Sequence, residues 1–174
     1  MSLSLYHAYL PENHAHFVPE EQVMQEGIQS FTESNNRYSN GGRVKIEKTE
    51  SLRPVNTPNW VNFKEAIGVD ISNRFFKSYC FPVFTDKIRV FDADISISIY
   101  DQAFYDDFNA FDEEALNFDT GKSIEYWIKL YWDSMMTLQE YFLKRPYPKP
   151  EILVFESIPK EIIRVCEKNH DNMD

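Results

Sequence analysis

His7, His14 and His16 lie close together near the start of the chain, with Glu12 and Glu20 beside them. Imidazoles and carboxylates bind metals, and His14 and His16 on an extended segment point to one side, so they can share an ion. No matching Cys or His cluster occurs elsewhere, and the plainer reading is a set of polar loop residues. A second set is acidic: Asp92 and Asp94, then Asp106 and Asp107. Paired carboxylates do acid–base work only where their surroundings push one pKa upward, whereas a solvated helix face makes no such demand. Gly121-Lys122-Ser123 matches the end of a phosphate-binding loop, but the first glycine of that motif falls on Leu116. That leaves a turn followed by a helix cap. Cys80 and Cys166 form no CxxC pair, and neither GxSxG nor HExxH occurs, so the common nucleophile and zinc motifs are missing.

Side chains can act only where elements hold them. Leu3 to Tyr9 alternates apolar and polar residues and predicts a first strand that carries His7. Pro11 to His16 reads as a loop, and Pro19-Glu20-Glu21-Gln22 as a helix start, with Val23, Met24, Ile28 and Phe31 as its apolar face. Thr32 to Gly42 is polar and turn-rich, as a mobile loop would be. Arg43 to Glu47 alternates and predicts a short edge strand, and a constrained loop with Pro54 and Pro58 follows. Ala66 to Phe76 fits a strand or a short helix. Phe81 to Asp94 reads as strand, turn, strand, and Ile95-Ser96-Ile97-Ser98-Ile99 as a further strand or an extension of the last.

The stretch from Asp92 to Asp119 gathers acids and has no Lys or Arg, while Phe104, Phe108, Phe111 and Phe118 recur at near-helical spacing. It predicts one or two amphipathic helices with a buried aromatic face. Ser123 to Lys144 keeps apolar residues at three-to-four spacing and predicts one long helix, capped by Ser123 and stopped by Pro146, Pro148 and Pro150. Glu151 to Phe155 has high strand propensity, and Ser157 to Val165 continues as a turn and another strand.

Two ends of this layout carry a resemblance. Tyr6-His7 sits on the first strand ahead of a helix. Pro150-Glu151-Ile152-Leu153-Val154 opens a strand after a long helix and precedes Ile158-Pro159-Lys160-Glu161-Ile162-Ile163. The arrangement resembles small ADP-ribosyltransferase-like domains, and its last part is similar to the DNA-modifying DarT toxins. The resemblance implies NAD as substrate. It implies that His7 bonds a ribose of NAD, and that Glu151 contacts the nicotinamide ribose and stabilises the oxocarbenium-like transition state. Arg53, in the proline-bounded loop, is expected from its residue type to bind the pyrophosphate or the substrate, because a guanidinium suits bidentate phosphate contact. Without the resemblance, Glu151 reads as a solubilising acid on an edge strand and His7 as a half-buried strand residue with a hydrogen bond.

Bulk properties set limits. The chain has 174 residues and 43% hydrophobic residues, enough for one domain with a sizeable core. Aromatics make up 16%, which points to a ring-rich core. A net charge of -10 disfavours broad nucleic-acid binding, which needs Lys and Arg to displace counterions. It leaves an alternative function: a non-enzymatic acidic inhibitor, such as an immunity or anti-defence protein, whose acidic helical face occupies a basic protein surface. Two distant cysteines suit a reducing compartment, and neither a signal peptide nor a run of apolar residues long enough for a membrane span is found. The expectation is a cytoplasmic single α+β domain over residues 1–168, with an antiparallel or mixed sheet flanked by helices, and a frayed tail at 169–174.

Overall fold

The alternation at the start of the chain becomes strand β1, Ser4–Ala8. Its neighbour is β3, Lys77–Pro82, in antiparallel register with Leu5 opposite Phe81 and His7 opposite Tyr79. Strand β7, Arg164–Glu167, closes this sheet on the far side of β3, with Val165 opposite Tyr79. A second sheet has the order β2-β6-β4-β5, formed by Ile67–Val69, Pro150–Val154, Ile88–Asp92 and Met136–Thr137. The sheets meet at one corner, where Tyr6 and Asp70 exchange two backbone hydrogen bonds of 2.8 Å. All strand pairs are antiparallel.

These elements come from a computed structural model that describes residues 3–14, 17–30, 40–108 and 121–167, with the backbone alone at 40–41 and 104–108. Among the described residues there are five α-helices: α1 Glu20–Glu26, α2 Asn40–Ser51, α3 Ala93–Phe108, α4 Ile124–Asp133 and α5 Leu138–Lys144. The chain is thus a single α+β domain.

Strand β6 explains how the layers stack. Side chains alternate along it, so Ile152 and Val154 join the first sheet's Leu5, Phe81 and Tyr79 in one core. Leu153 and Phe155 point the other way, into a second core with Phe91, Ile99, Ile128 and Tyr131. The second sheet is therefore covered on both faces, by the first sheet and by helices. This is why β6 reads as an unbroken apolar run after Glu151. The ring-rich second core, in which Phe63 touches Phe91, Tyr131, Trp132 and Phe155, accounts for much of the aromatic content.

Several expectations need correction. Arg43 to Glu47 is not an edge strand but part of α2. Gly42, Lys45, Ile46 and Thr49 follow helical spacing, and the side chain of Thr49 is buried beside Trp132, whose indole donates to the Thr49 carbonyl at 3.0 Å. Ile95 to Ile99 is helical too. Ile99 and Ala103 are fully buried, Ile95 packs against the same core, and Ile97 is 52% exposed, so the four-residue period prevails over the two-residue one. The Asp92 carboxylate accepts from the Asp94 amide at 2.9 Å and caps that helix.

The long helix over 123–144 is two helices with β5 between them. Ser123 does cap the first, accepting from Tyr126. The second starts with its own capping box, Thr137 and Glu140. The two cysteines are joined: Cys80 and Cys166 form a disulfide across β3 and β7, with Cα atoms 6.0 Å apart. Such bonds persist in oxidising surroundings, so the pair does not point to a reducing compartment. Among the described residues no helix is long and apolar enough to cross a membrane. Phe31, Thr32 to Ser39, His16, Phe111, Phe118 and the tail at 169–174 lie outside the described residues.

Candidate functional site

Where the two sheets part, α1 and α2 roof a cavity of about 670 Å3. His7 of β1 and Glu151 of β6, from opposite ends of the chain, both line it. Lys45 of α2, Gly68 of β2, Tyr79 of β3 and Tyr131 of α4 also line it, with Glu26 of α1, against apolar side chains such as Phe17, Val18 and Ile46.

His7 lies on the same face of β1 as the buried Leu5, which turns it inward. Its ring is half-buried, and Nδ1 donates to the Gly68 carbonyl across 2.8 Å at the corner between the sheets. That bond leaves Nε2 as an acceptor on the neutral ring. Burial pulls the His7 pKa below 6.5 and outweighs the opposing pull of the Gly68 carbonyl, so the ring favours its neutral form. A Cβ added at Gly68 would meet no atom within 4 Å, so the space at this corner is open.

Glu151 sits opposite Phe91 on an interior strand, not on an edge, which corrects the reading of a solubilising edge acid. Its carboxylate is a meeting point for three helices. Tyr131 of α4 donates to Oε2 at 2.7 Å. Lys45 of α2 places Nζ 3.7 Å from Oε1, 5.7 Å from the centre of the Tyr131 ring, and donates to Ser96 Oγ of α3. Tyr131 is held in turn by Phe91, which stacks on it at 4.6 Å. Burial first, then the charge and hydrogen bond of Glu151, push the Tyr131 hydroxyl well above its usual pKa. It therefore stays a donor over the working pH range. Tyr131 thus fixes the position of the carboxylate at the cavity wall, while its charge is paired with Lys45.

Tyr79 adds a different kind of group. Its side chain is 4% exposed, yet its hydroxyl has no hydrogen-bond partner among the described residues. Burial, aided by Tyr9 and Glu20, raises its pKa to about 12. An unsatisfied buried hydroxyl costs roughly 1–3 kcal/mol, so an acceptor inside the cavity would be bound at little extra desolvation cost.

Arg53 is elsewhere. It follows the end of α2, with Nε 3.7 Å from the Glu50 carboxylate, and does not line the cavity. Lys149 pairs with Asp94 at 2.9 Å, so Asp92 and Asp94 serve a helix cap and an ion pair. No group of three or more metal-binding side chains occurs among the described residues. The side chains of Asp106 and Asp107, and all of 109–120, lie outside the description.

Sequence reasoning missed Lys45, Tyr79, Tyr131 and Ser96 as site residues. Helical spacing through Gly42, Lys45, Ile46 and Thr49 was the available signal for the first. Tyr131 gave only the signal of a core residue, which it also is. No protein-family model, curated protein or solved structure matches the chain.

Proposed function

We propose that the protein is an NAD-dependent mono-ADP-ribosyltransferase-like protein, active or degenerate, with NAD bound in the cavity between His7 and Glu151. The observation that carries this reading is the convergence of these two residues on one cavity. Its volume lies within the range of roughly 300–1,000 Å3 common for small-molecule sites. The unpartnered Tyr79 hydroxyl supports a ligand with polar acceptors.

In this reading His7 Nε2 accepts a hydrogen bond from a ribose hydroxyl. Glu151 accepts from the 2′-hydroxyl of the nicotinamide ribose and faces the reacting carbon. As the bond from that carbon to the nicotinamide nitrogen breaks, its electron pair leaves with nicotinamide and positive charge develops on the ribose. Glu151 stabilises that charge, held in place by Tyr131. A nucleophile then attacks the same carbon, forming the new bond there, and its proton passes to solvent water. Removing one such preorganised electrostatic group from an active site typically slows the chemical step about 100- to 1,000-fold.

Calorimetric titration with NAD and chromatography of released nicotinamide test this. Wild type is expected to bind NAD, and Glu151→Gln to keep binding while releasing nicotinamide at least about 100-fold more slowly. Binding without release in wild type marks a degenerate member. Neither heat nor nicotinamide from wild type refutes the proposal. The alternative of an acidic inhibitor rests on carboxylates between 106 and 119, and no described contact favours it.

A further inference from the structure

We infer that Lys45 is the anion-binding residue of the cavity, and that it exchanges Glu151 for a phosphate oxygen of the ligand. Among the described residues that line the cavity it is the sole Lys or Arg, against two carboxylates, Glu26 and Glu151. Among the described residues, a phosphate that enters finds positive charge at Lys45. Arg53, the residue whose chemistry suggested that task, is engaged with Glu50 outside the cavity.

The geometry suits an exchange. The Lys45 ammonium donates one hydrogen bond, to Ser96, out of three that it can make. Its contact with Glu151, at 3.7 Å, lies beyond hydrogen-bond length and is an ion pair only. A phosphate oxygen at hydrogen-bond distance would make a shorter, charge-assisted contact than that. The departure of Lys45 does not strand Glu151, because Tyr131 keeps its 2.7 Å bond to the other carboxylate oxygen. The stem of Lys45 rises from the inner face of α2, so the ammonium can turn about its flexible chain while Ser96 and Tyr131 stay fixed.

The exchange gives ligand binding a consequence at the reacting end. While Lys45 neutralises Glu151, that carboxylate is a poor partner for a developing cation. Once a phosphate draws Lys45 away, the negative charge of Glu151 is left for the ribose. Lys45 would thus couple recognition of the diphosphate to readiness of the carboxylate. This coupling rests on the ribosyltransferase reading; the anion-binding role itself does not.

The test is calorimetry at low ionic strength on wild type, Lys45→Met, Lys45→Arg and Glu151→Gln, with ADP-ribose, adenosine and inorganic pyrophosphate as probes. Lys45→Met is expected to weaken ADP-ribose and pyrophosphate by about 10-fold or more while leaving adenosine unchanged. Lys45→Arg should restore most of that loss. Glu151→Gln should tighten pyrophosphate, because it removes the competing anion. Unchanged ADP-ribose and pyrophosphate affinities in Lys45→Met overturn the inference, and so does weaker pyrophosphate binding in Glu151→Gln. An equal loss for adenosine would mark a merely structural lysine and also overturn it. Wild type that binds pyrophosphate through Lys45 but binds neither NAD nor ADP-ribose upholds this inference and sinks the ribosyltransferase reading. Wild type that binds neither pyrophosphate nor ADP-ribose overturns it.

Discussion

Replacing Tyr131 by Phe removes one hydroxyl from the centre of the molecule and tests whether Glu151 is held as described. The Tyr131 side chain is fully buried, and its hydroxyl donates to Glu151 at 2.7 Å. A hydrogen bond to a charged group contributes roughly 1.5–3 kcal/mol. The Glu151 side chain is 27% exposed, so water can replace part of that bond, which places the expected loss near the lower limit, about 1.5 kcal/mol. For a domain of this size that corresponds to a fall in Tm of about 3–6 °C. The Phe91 stack should survive, because the ring itself is retained.

Urea unfolding of wild type, Tyr131→Phe, Glu151→Gln and the double variant separates the pair from its surroundings. The two changes should be non-additive by about 1 kcal/mol, since either one alone breaks the same bond. Tyr131→Phe should also slow nicotinamide release, if release is seen in wild type, by letting the carboxylate turn. An unchanged urea midpoint in Tyr131→Phe, or additivity within about 0.5 kcal/mol, would refute the claim that this phenol holds Glu151.

Three further outcomes are expected. Tyr79→Phe should leave the urea midpoint unchanged or raise it, because it deletes a buried hydroxyl without a partner; a clear loss of stability would mean that the hydroxyl is bonded. The His7 pKa is lowered on folding, so the unfolded chain takes up the proton first and stability falls as pH drops below 6.5. Melting curves between pH 7.5 and 5.5 should therefore show a steeper decline for wild type than for His7→Gln, and parallel slopes would contradict this. Gly27→Ala should destabilise by about 2 kcal/mol or more, read from urea midpoints, because Gly27 has φ +80° and a methyl there would collide with the Ile158 carbonyl oxygen. A loss under about 0.5 kcal/mol would show that the backbone can shift to make room.

How much of this was legible in the chain depended on whether the deciding contacts were local. Strands β1 and β6 could be read because their alternation and propensity agree with where they end up. The Ile95 to Ile99 segment could not, because its five residues fit both periods. What decides it lies at Asp92, which caps the helix, and at Ala103, which extends the buried stripe. The break after Asp133 is likewise tertiary. Ser134 Oγ donates to the Tyr131 carbonyl and accepts from the Asp92 amide, tying the end of α4 to the end of β4. The local counterweight to a continuous helix is the Thr137–Glu140 capping-box pattern, which helix propensity on both sides outweighs in a reading of the sequence.

The site shows the same division. His7 and Glu151 were singled out by their places on the two terminal strands, and they share a cavity. Lys45 and Tyr131 were hidden, because their role arises only when α2 and α4 close over β6. Arg53 was chosen by residue type alone, and type does not say which way a side chain at a helix end turns. The cysteines, 86 positions apart, pair only through the register of β3 and β7.

That pairing divides the cavity by covalent connectivity. The disulfide closes a ring of chain from Cys80 to Cys166. Glu151, Tyr131 and Leu153 belong to the ring, whereas His7, Lys45, Gly68 and Tyr79 belong to the arm that precedes it. A single peptide cut anywhere within the ring leaves both sides of the cavity in one covalent molecule. Such a cut would go unnoticed by size until the disulfide is reduced, when two fragments would separate; His7 and Lys45 stay on the first, and Glu151 goes to the second where the cut precedes it.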